Sequence, residues 1–261
     1  MSVGYTERQR AMLQEMGIRV WAAPAVEAVE VVEVAAVPEP APAPVPMAPT
    51  PVAAPRPVPA PVVALRPTGV AAMDWDELRA AVSSCRACTL CERRTQTVFG
   101  VGHPQAQWML IGEAPGEQED LQGEPFVGKA GQLLDNMLRA VGLTRSEAPA
   151  QEQVYIANVL KCRPPQNRNP EPQEVAQCEP YLLRQIALVQ PKLILAMGRF
   201  AVQSLLKTGE PIGRLRGRVH EVQGVPVVVT YHPAYLLRNP LDKARSWEDL
   251  CLAREVLARA G

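Results

Sequence analysis

Runs of mostly apolar residues recur along the chain beyond residue 100. Three of them cover residues 108–112, 154–160 and 192–197. Their length and their lack of strict alternation are typical of strands that are buried on both faces of a sheet. Two further segments, 219–223 and 225–230, are separated by one glycine and are predicted to pair as a hairpin.

Segments with apolar residues at helical spacing lie between these strands. Residues 128–141 place leucines and a methionine on one face, and a glycine that suits a C-cap follows at position 142. A longer helix is predicted over 174–189, with Pro180 marking its first turn or a kink. A shorter helix follows the third strand, and the last helix covers 246–260. Because strands alternate with helices, the sequence predicts an α/β fold: a three-layer α/β/α sandwich around a central, mostly parallel sheet.

The N-terminal part of the chain has a different composition. Of the 27 prolines, 12 lie between Pro38 and Pro67, in a run of Ala-Pro and Val-Pro pairs. Such a segment lacks core-forming side chains and N–H donors, so residues 38–70 are predicted to be a disordered linker. Residues 1–37 form a tail before it, and residues 71–261 form the folded domain.

The tail and the start of the domain each contain a helix signal. Residues 5–21 are predicted to contain a short capped helix with an apolar stripe. Because a short isolated helix is marginally stable, two interpretations stay open: a tethered docking motif for another protein, or a disordered tail. The folded domain opens with a helix for which Asp74 is a suitable N-cap.

Overall charge and hydrophobicity exclude few classes of function. The chain has 27 basic and 27 acidic side chains, so its net charge does not indicate a nucleic-acid partner. No apolar run is long enough to span a bilayer, and the first residues lack the apolar stretch of a secretory signal. These features favour a cytoplasmic protein, in which thiols stay reduced.

Five of the six cysteines fall into two groups, and this spacing predicts a metal centre. Cys85, Cys88 and Cys91 are each separated by two residues, and Cys162 and Cys178 follow with 15 residues between them. Four thiolates suit either a tetrahedral zinc ion or a cubane iron–sulfur cluster. The spacing leaves open which cysteine of the first group is spare. The alternative is a set of buried, unliganded thiols.

Polar segments follow the predicted strands directly. They comprise residues 112–116, 158–163, 198–199 and 232–236. The carboxyl ends of parallel strands meet at one edge of a sheet, and ligand sites form there. The sequence therefore predicts one site that is built from these segments.

Four side chains in or near these segments are candidates for chemistry, and each has a structural alternative. Glu113 is the first side chain beyond a strand, or part of an acidic surface turn. Asn158 interrupts an apolar strand, so its amide either pairs within the core or faces a ligand. His232 is a catalytic or a structural histidine, and Phe126 is a core residue or a stacking surface.

Four motifs together resemble those of one family. They are Gly-Glu-Ala-Pro-Gly-Glu at 112–117, Pro-Phe-Val-Gly-Lys-Ala-Gly-Gln-Leu-Leu at 125–134, Asn-Val-Leu-Lys-Cys-Arg-Pro-Pro-Gln-Asn-Arg at 158–168 and His-Pro-Ala-Tyr-Leu-Leu-Arg-Asn-Pro at 232–240. The family is that of the family 4 uracil-DNA glycosylases, the iron–sulfur enzymes of bacteria and archaea. The resemblance covers about residues 84–260, includes the cysteine spacing, and does not extend to the tail and linker.

The resemblance implies a 4Fe–4S cluster on the cysteines that match the ligands of the family. The matching residues are Cys85, Cys88, Cys162 and Cys178. Cys91 and Cys251 stay outside the match. In the family the cluster orders loops near the DNA and takes no part in hydrolysis.

The resemblance also implies a substrate site. Phe126 matches the aromatic residue that stacks on the extruded base, and Asn158 matches the amide that reads its Watson–Crick edge. His232 matches the residue that hydrogen-bonds uracil O2. Gly112 and Ala114 match the substrate-binding turn beside them.

Two further roles and two departures complete the comparison with the family. Leu236 sits where related glycosylases place a wedge that fills the gap left by the flipped base. Glu113 is predicted to be the catalytic residue that positions or activates water, together with His232. The best-known uracil glycosylases carry an Asp where this chain has Ala114, and a Tyr that excludes the thymine methyl where it has Gly116.

The implied function is removal of uracil from single- or double-stranded DNA, which leaves an abasic site and starts base excision repair. The segment Lys-Cys-Arg-Pro-Pro at 161–165 lacks the His of a covalently trapping branch, so ordinary turnover is expected. We expect a monomer associated with the nucleoid, with a repair or replication protein as the partner of residues 5–21. The alternative function is a non-catalytic iron–sulfur module that binds DNA or carries electrons.

Overall fold

The computed structural model describes residues 68–260, so the predictions for the tail and for almost all of the linker lie outside the described residues. The described part forms the predicted three-layer α/β/α sandwich. None of its helices is both long enough and apolar enough to cross a lipid bilayer.

One six-stranded sheet forms the middle layer. Its strands are β1 (Val101–Gly102), β2 (Trp108–Gly112), β3 (Tyr155–Asn158), β4 (Leu193–Met197), β5 (Val219–Val222) and β6 (Val225–Thr230). Their order across the sheet is β1-β3-β2-β4-β6-β5. The four inner strands run parallel, whereas β1 and β5 pair antiparallel at the two edges. The prediction of a mostly parallel sheet is confirmed.

Helices cover both faces of this sheet. Within residues 68–260 they are α1 (Trp75–Ser83), α2 (Glu117–Gln122), α3 (Lys129–Ala140), α4 (Pro172–Val189), α5 (Arg199–Leu206), α6 (Ile212–Leu215), α7 (Pro233–Arg238) and α8 (Lys243–Ala260). Single 3-10 turns at Val70–Ala72, Thr89–Glu92, Pro165–Asn167 and Pro240–Asp242 join some of them.

Alternate side chains of the inner strands separate into two cores. On one face, Met109, Ile111 and Ile194 pack with residues of α4 and α5. On the other face, Leu110 and Leu195 pack with residues of α3 and α8. All five side chains are completely buried. This burial on both faces explains why the strands appear in the sequence as continuous apolar runs.

A third core attaches α1 to the sandwich. The carboxylate of Asp74 accepts the N–H of Glu77, and the side chain of Glu77 accepts the N–H of Asp74, so the predicted N-cap is confirmed. Leu78 packs with Tyr181 of α4. This contact holds the segment that leads into Cys85 against the body of the domain.

Several boundaries differ from the prediction. Helix α4 begins at Pro172, a favourable first position, and Pro180 lies inside it rather than in its first turn. Helix α8 begins at Lys243, earlier than predicted. The predicted hairpin is confirmed, and its two-residue turn places Gln223 and Gly224 at φ values of 52° and 79°. Strand β1 and helix α2 were not predicted, because both are short and lack apolar periodicity.

Candidate active site

A cavity of about 860 Å³ opens at the carboxyl ends of the parallel strands. The structure brings together the four polar segments that follow these strands. Their lining residues are Glu113, Ala114, Pro115, Gly116, Asn158, Gly198, Arg199, His232, Ala234 and Tyr235. Glu119 of α2 and Phe126 complete this part of the wall.

Asn158, the last residue of β3, contributes a buried amide to the cavity. It is 2% exposed, and within residues 68–260 its Oδ1 has no hydrogen-bond partner. Gly112 lies beside it, and a Cβ at that position would stand 2.4 Å from Oδ1. A buried acceptor without a partner is unfavourable, so Asn158 is suited to a ligand that brings an N–H donor.

A buried lysine fixes the backbone of Asn158. Lys161 Nζ donates to the carbonyl oxygen of Asn158 at 2.8 Å and to Gln185 Oε1 at 2.6 Å. The amide of Gln185 donates to the carbonyl of Phe99 and to the hydroxyl of Tyr155. Burial lowers the pKa of Lys161 to about 7. The end of β3 is thereby tied to α4.

Phe126 is held in a strained backbone conformation. Its φ is 55°, which is rare for an aromatic residue. Arg145 Nη1 donates to the carbonyls of Pro125 at 3.1 Å and Phe126 at 2.9 Å, while Arg145 Nε donates to Asp135 at 2.5 Å. Gly131 leaves room for this loop, since a Cβ there would stand 1.7 Å from the Phe126 oxygen. The neighbouring structure therefore determines where the ring lies.

His232 precedes α7 and presents a neutral imidazole. Its ring lies against Phe126, with 5.2 Å between centroids and 27° between planes. Nδ1 accepts the N–H of Ala234 at 3.1 Å, so the neutral ring carries its proton on Nε2. Burial, aided by the charge of Arg238, lowers the pKa of His232 to about 4. At neutral pH the cavity wall therefore contains an uncharged N–H donor.

Glu113 occupies the turn after β2. Its carbonyl accepts the N–H of Leu160 at 3.1 Å, which continues the pairing between the β2 and β3 segments. Burial raises the pKa of the Glu113 carboxyl to about 7, and the positive charge of Arg199 opposes this shift in part. A carboxylate with such a pKa can exchange a proton at physiological pH.

Glu119 links two walls of the cavity. Its carboxylate accepts the N–H of Gly116 at 3.0 Å and the N–H of Val127 at 3.0 Å. A Cβ at Gly116 would stand 2.6 Å from Glu119 Oε2. The glutamate thus fills the space next to Gly116.

The grouped cysteines surround a second, much smaller cavity. It is lined by Cys85, Cys88, Cys91, Cys162 and Cys178, together with Arg94. Arg94 Nη1 donates to the Cys162 sulfur at 3.1 Å, and Nη2 donates to the carbonyl of Ser83 at 3.0 Å. In the part of the chain that the structure describes, no three His, Cys, Asp or Glu side chains are grouped as a single metal ion requires.

Burial disfavours ionisation of three thiols of this cavity. Burial raises the pKa of Cys162, and it raises the pKa of Cys88 to about 11 and that of Cys178 to about 12. A bound metal centre offsets such burial by stabilising the thiolate. The donor set consists of soft thiols only, and it includes Cys91, so the structure does not separate this cysteine from the other four.

The structure places Leu236, the predicted DNA wedge, inside the domain rather than on its surface. Leu236 is completely buried, as is Pro233, because the two residues lie on the inner face of α7. Leu237, the next residue, is 44% exposed. A side chain that enters a base stack must be accessible, whereas Leu236 is buried in this conformation.

The chain is similar to proteins of one known family. A family model described as "Uracil DNA glycosylase superfamily" matches residues 99–253. A type-4 uracil-DNA glycosylase of Archaeoglobus fulgidus is 46% identical over 173 residues, which make up 63% of this chain and 84% of that protein. Proteins with the same name from Sulfurisphaera tokodaii and Thermotoga maritima are 42% and 41% identical over 69% of this chain, and the matches cover 84% and 93% of those proteins. The chain belongs to the type-4 uracil-DNA glycosylases.

Membership of the type-4 glycosylases confirms the predicted resemblance. The structure also places most of the predicted site residues around one cavity. Those that line it are Glu113, Ala114, Phe126, Asn158 and His232. Gly112 lies beneath Asn158, and Leu236 is turned into the core.

Sequence reasoning gave no individual role to four side chains around this glycosylase cavity. They are Lys161, Arg145, Glu119 and Arg199. Lys161 left a signal, since a lysine stands within the otherwise apolar run that follows Asn158. Arg145 left none, because the carbonyls that it binds lie 19 and 20 residues away along the chain.

Proposed function

We propose that this protein is a uracil-DNA glycosylase, which extrudes uracil from DNA and hydrolyses its N-glycosidic bond. The product is an abasic site, the starting point of base excision repair. One observation carries the proposal: the buried, unpartnered Oδ1 of Asn158 in a cavity whose wall also holds the neutral donor of His232. The names of the relatives support the same activity.

The fixed amide of Asn158 accounts for selection of uracil over cytosine. Uracil offers an N3–H donor beside the O4 acceptor, whereas cytosine offers an N3 acceptor beside an N4–H₂ donor. Asn158 Oδ1 can accept the uracil N3–H while its NH₂ group donates to O4. Cytosine would place acceptor against acceptor and donor against donor, which leaves buried groups unpaired. Lys161 and Gly112 support this orientation by fixing the backbone and the space around the amide.

His232 acts on the leaving group. As the bond between C1′ and N1 breaks, its electron pair moves to the base and negative charge develops on uracil O2. A preorganised N–H donor stabilises that charge where it forms. The neutral imidazole is suited to this task, because its Nε2 proton stays on the ring across the physiological pH range.

Glu113 acts on the other side of the bond. The sugar gains positive charge, and a water molecule adds to C1′ and gives up one proton. The carboxylate of Glu113 accepts that proton and opposes the charge on the sugar. Ala114 does not supply a carboxylate, so Glu113 is the acidic side chain that fits the role of general base in the segment after β2.

We infer that a 4Fe–4S cluster is held by Cys85, Cys88, Cys162 and Cys178, with Cys91 as the spare thiol. The donor set of thiols alone suits iron–sulfur chemistry, and a multi-iron cluster requires a wider ligand spacing than zinc. When bound, the cluster cross-links the segment after α1 to the loop and helix after β3. Iron and sulfide assays on anaerobically purified protein test this assignment, and zinc in place of iron would reject it.

Further proposals concern the setting in which this activity operates. We propose a monomer that acts in the cytoplasm on uracil in nucleoid DNA, single- or double-stranded. The motivating features are the reduced cysteines and the DNA substrate of the proposed reaction. Residues 5–21 are proposed to bind a repair or replication protein, so they are not needed for catalysis on naked DNA.

The alternative of a non-catalytic iron–sulfur module predicts DNA binding without release of free uracil.

The decisive experiment measures free uracil released from single-uracil oligonucleotides, single- and double-stranded, by metal-replete protein, with a matched thymine substrate. We expect uracil-specific release that falls by about 10²-fold or more in the Asn158→Ala and His232→Ala variants. Val219→Ala, at an exposed site on the edge strand β5, is the matched control and retains activity. Protein lacking residues 1–67 is expected to retain activity on these naked substrates. No release by the wild type would reject the proposed function in favour of the binding module.

A further inference from the structure

One exposed apolar side chain stands out just after the helix that lines part of the cavity. Within residues 68–260 the exposed large apolar residues are Leu121, Val219, Leu237, Leu241 and Trp247, and Leu241 is the most exposed of them at 93%. It lies in the Pro240–Asp242 turn directly after α7. The residues of α7 that line the cavity are Ala234, Tyr235 and Arg238. Leu241 therefore follows the cavity wall by only a few residues.

The turn that carries Leu241 is held firmly to that wall. The hydroxyl of Tyr235 donates to Asp242 Oδ2 at 2.7 Å, and the side chain of Asn239 donates to the carbonyl of Tyr235 at 3.1 Å. The N–H of Asp242 donates to the carbonyl of Asn239 at 3.1 Å, and Arg245 pairs with Asp242. An exposed apolar residue is thus presented on a rigid support rather than on a loose loop.

Positive side chains flank Leu241 along the chain. Arg238, Lys243 and Arg245 are all exposed and lie within four residues of it along the chain. The acidic residue of this turn, Asp242, is already paired with Arg245. An apolar tip flanked by cations is complementary to a base stack bordered by phosphates.

We propose that Leu241 is the side chain that enters the duplex when a nucleotide is extruded, in place of the buried Leu236. Leu241 fills the gap in the base stack, while Arg238, Lys243 and Arg245 contact the flanking phosphates. This inference rests on the proposed uracil-DNA glycosylase activity and identifies the surface that engages duplex DNA. A side chain of this kind stabilises the extruded state only where there is a stack to refill, so its effect is confined to double-stranded substrate.

The experiment compares single-turnover release of uracil from the same oligonucleotide in double-stranded and single-stranded form. For Leu241→Ala we expect the ratio of duplex to single-strand rates to fall by about tenfold or more, because a gap in the stack is left unfilled. Leu241→Met, which keeps a long apolar side chain, is expected to restore most of the ratio. Val219→Ala is the matched control at a distant exposed site. A 2-aminopurine base next to the uracil reports unstacking, and Leu241→Ala should weaken its fluorescence increase.

The outcomes separate this inference from the proposed function. An unchanged ratio in Leu241→Ala, or an equal loss on both substrates, overturns the role of Leu241. If the ratio of duplex to single-strand rates falls in Leu237→Ala but not in Leu241→Ala, the neighbouring exposed leucine has this role. That result also overturns the proposal for Leu241. If the wild type releases uracil from neither substrate, the proposed function itself fails. Equal thermal unfolding midpoints of the variants show that the differences do not arise from misfolding.

Discussion

Burial shifts the pKa of both titratable side chains on which the proposed chemistry depends. It raises the pKa of Glu113 to about 7 and lowers the pKa of His232 to about 4. Both shifts favour the neutral form, yet they suit different tasks. His232 is an uncharged donor at neutral pH, whereas Glu113 titrates in the range where a general base is effective.

The pKa of Glu113 predicts how activity depends on pH. Only the carboxylate form accepts a proton from water, and this form becomes the major one above the pKa of about 7. Below that pKa we expect the single-turnover rate of uracil release to rise by about tenfold per pH unit, and above it to level off. His232 stays neutral throughout this range and adds no second limb.

A pH–rate profile of the wild type and two variants tests this expectation. Glu113→Gln should lose both the rising limb and most of the rate, because the amide cannot accept the proton. Glu124→Gln, at an exposed position nearby in the chain, is the matched control and should keep the profile of the wild type. A wild-type rate that stays constant with pH below the pKa of about 7 would contradict the assignment of Glu113.

The sequence could predict which segments meet at the cavity, whereas it could not predict which side chains are exposed. The motif residues Glu113, Asn158 and His232 were predicted correctly as neighbours, because strand ends converge on one edge of a parallel sheet. Leu236 matches a wedge position by its place in a motif, and that place does not show that its side chain lies on the inner face of α7. The exposed Leu241 lies outside the apolar patterns from which the elements were predicted.

At the scale of elements, the close contact between α3 and the Phe126 loop predicts an unusual effect of a glycine substitution. Gly131 lies within α3, where alanine normally stabilises a helix by ~0.5–1 kcal/mol. Here the added Cβ would stand 1.7 Å from the carbonyl oxygen of Phe126, which Arg145 already holds. We expect Gly131→Ala to destabilise the protein by ~1–3 kcal/mol and to slow uracil release, because the loop must move.

Urea unfolding and the uracil-release assay measure these two effects. Gly209→Ala is the control, since a Cβ at that position would have no neighbour within 4 Å. It should leave both the free energy of unfolding and the activity close to those of the wild type. A Gly131→Ala protein that is more stable than the wild type would show that the loop accommodates the methyl group.

Apolar pattern predicted the long elements well and the short ones poorly. Strands β2, β3 and β4 are buried along their whole length, and β6 is buried over its last four residues, so their apolar runs are unambiguous. Helix α2 is rich in acidic residues and carries Glu119, whose carboxylate accepts N–H groups three and eight residues away along the chain. These contacts leave no apolar periodicity in the sequence. The strained φ of Phe126 likewise depends on tertiary contacts.

At the scale of the whole molecule, the cysteine cavity joins parts of the chain that are far apart in sequence. Cys85 and Cys88 follow α1, Cys162 follows β3, and Cys178 lies in α4. A cluster held by these thiols closes long loops and adds its binding free energy to folding.

Replacing one proposed ligand is therefore expected to affect the entire domain. Cys178→Ser should lower the free energy of unfolding by far more than the ~1 kcal/mol of an average point substitution, and it should abolish the visible absorbance of the cluster. Cys251→Ser is the matched control, because Cys251 lies in α8 and does not line the cysteine cavity. Anaerobic urea unfolding followed by circular dichroism measures the difference. Equal stability of the two variants would mean that Cys178 holds no structural metal.

The unpartnered oxygen of Asn158 also bears on what happens after the bond is broken. A pocket with an unsatisfied acceptor is a less stable form of the protein than one in which that acceptor is paired, so ligation and folding are thermodynamically linked. Free uracil still carries the N3–H that satisfies it. With the proposed role of Asn158, we expect the detached base to compete with the next lesion for the same pocket, so that the feature proposed to give selectivity also makes this catalyst subject to inhibition by its own product.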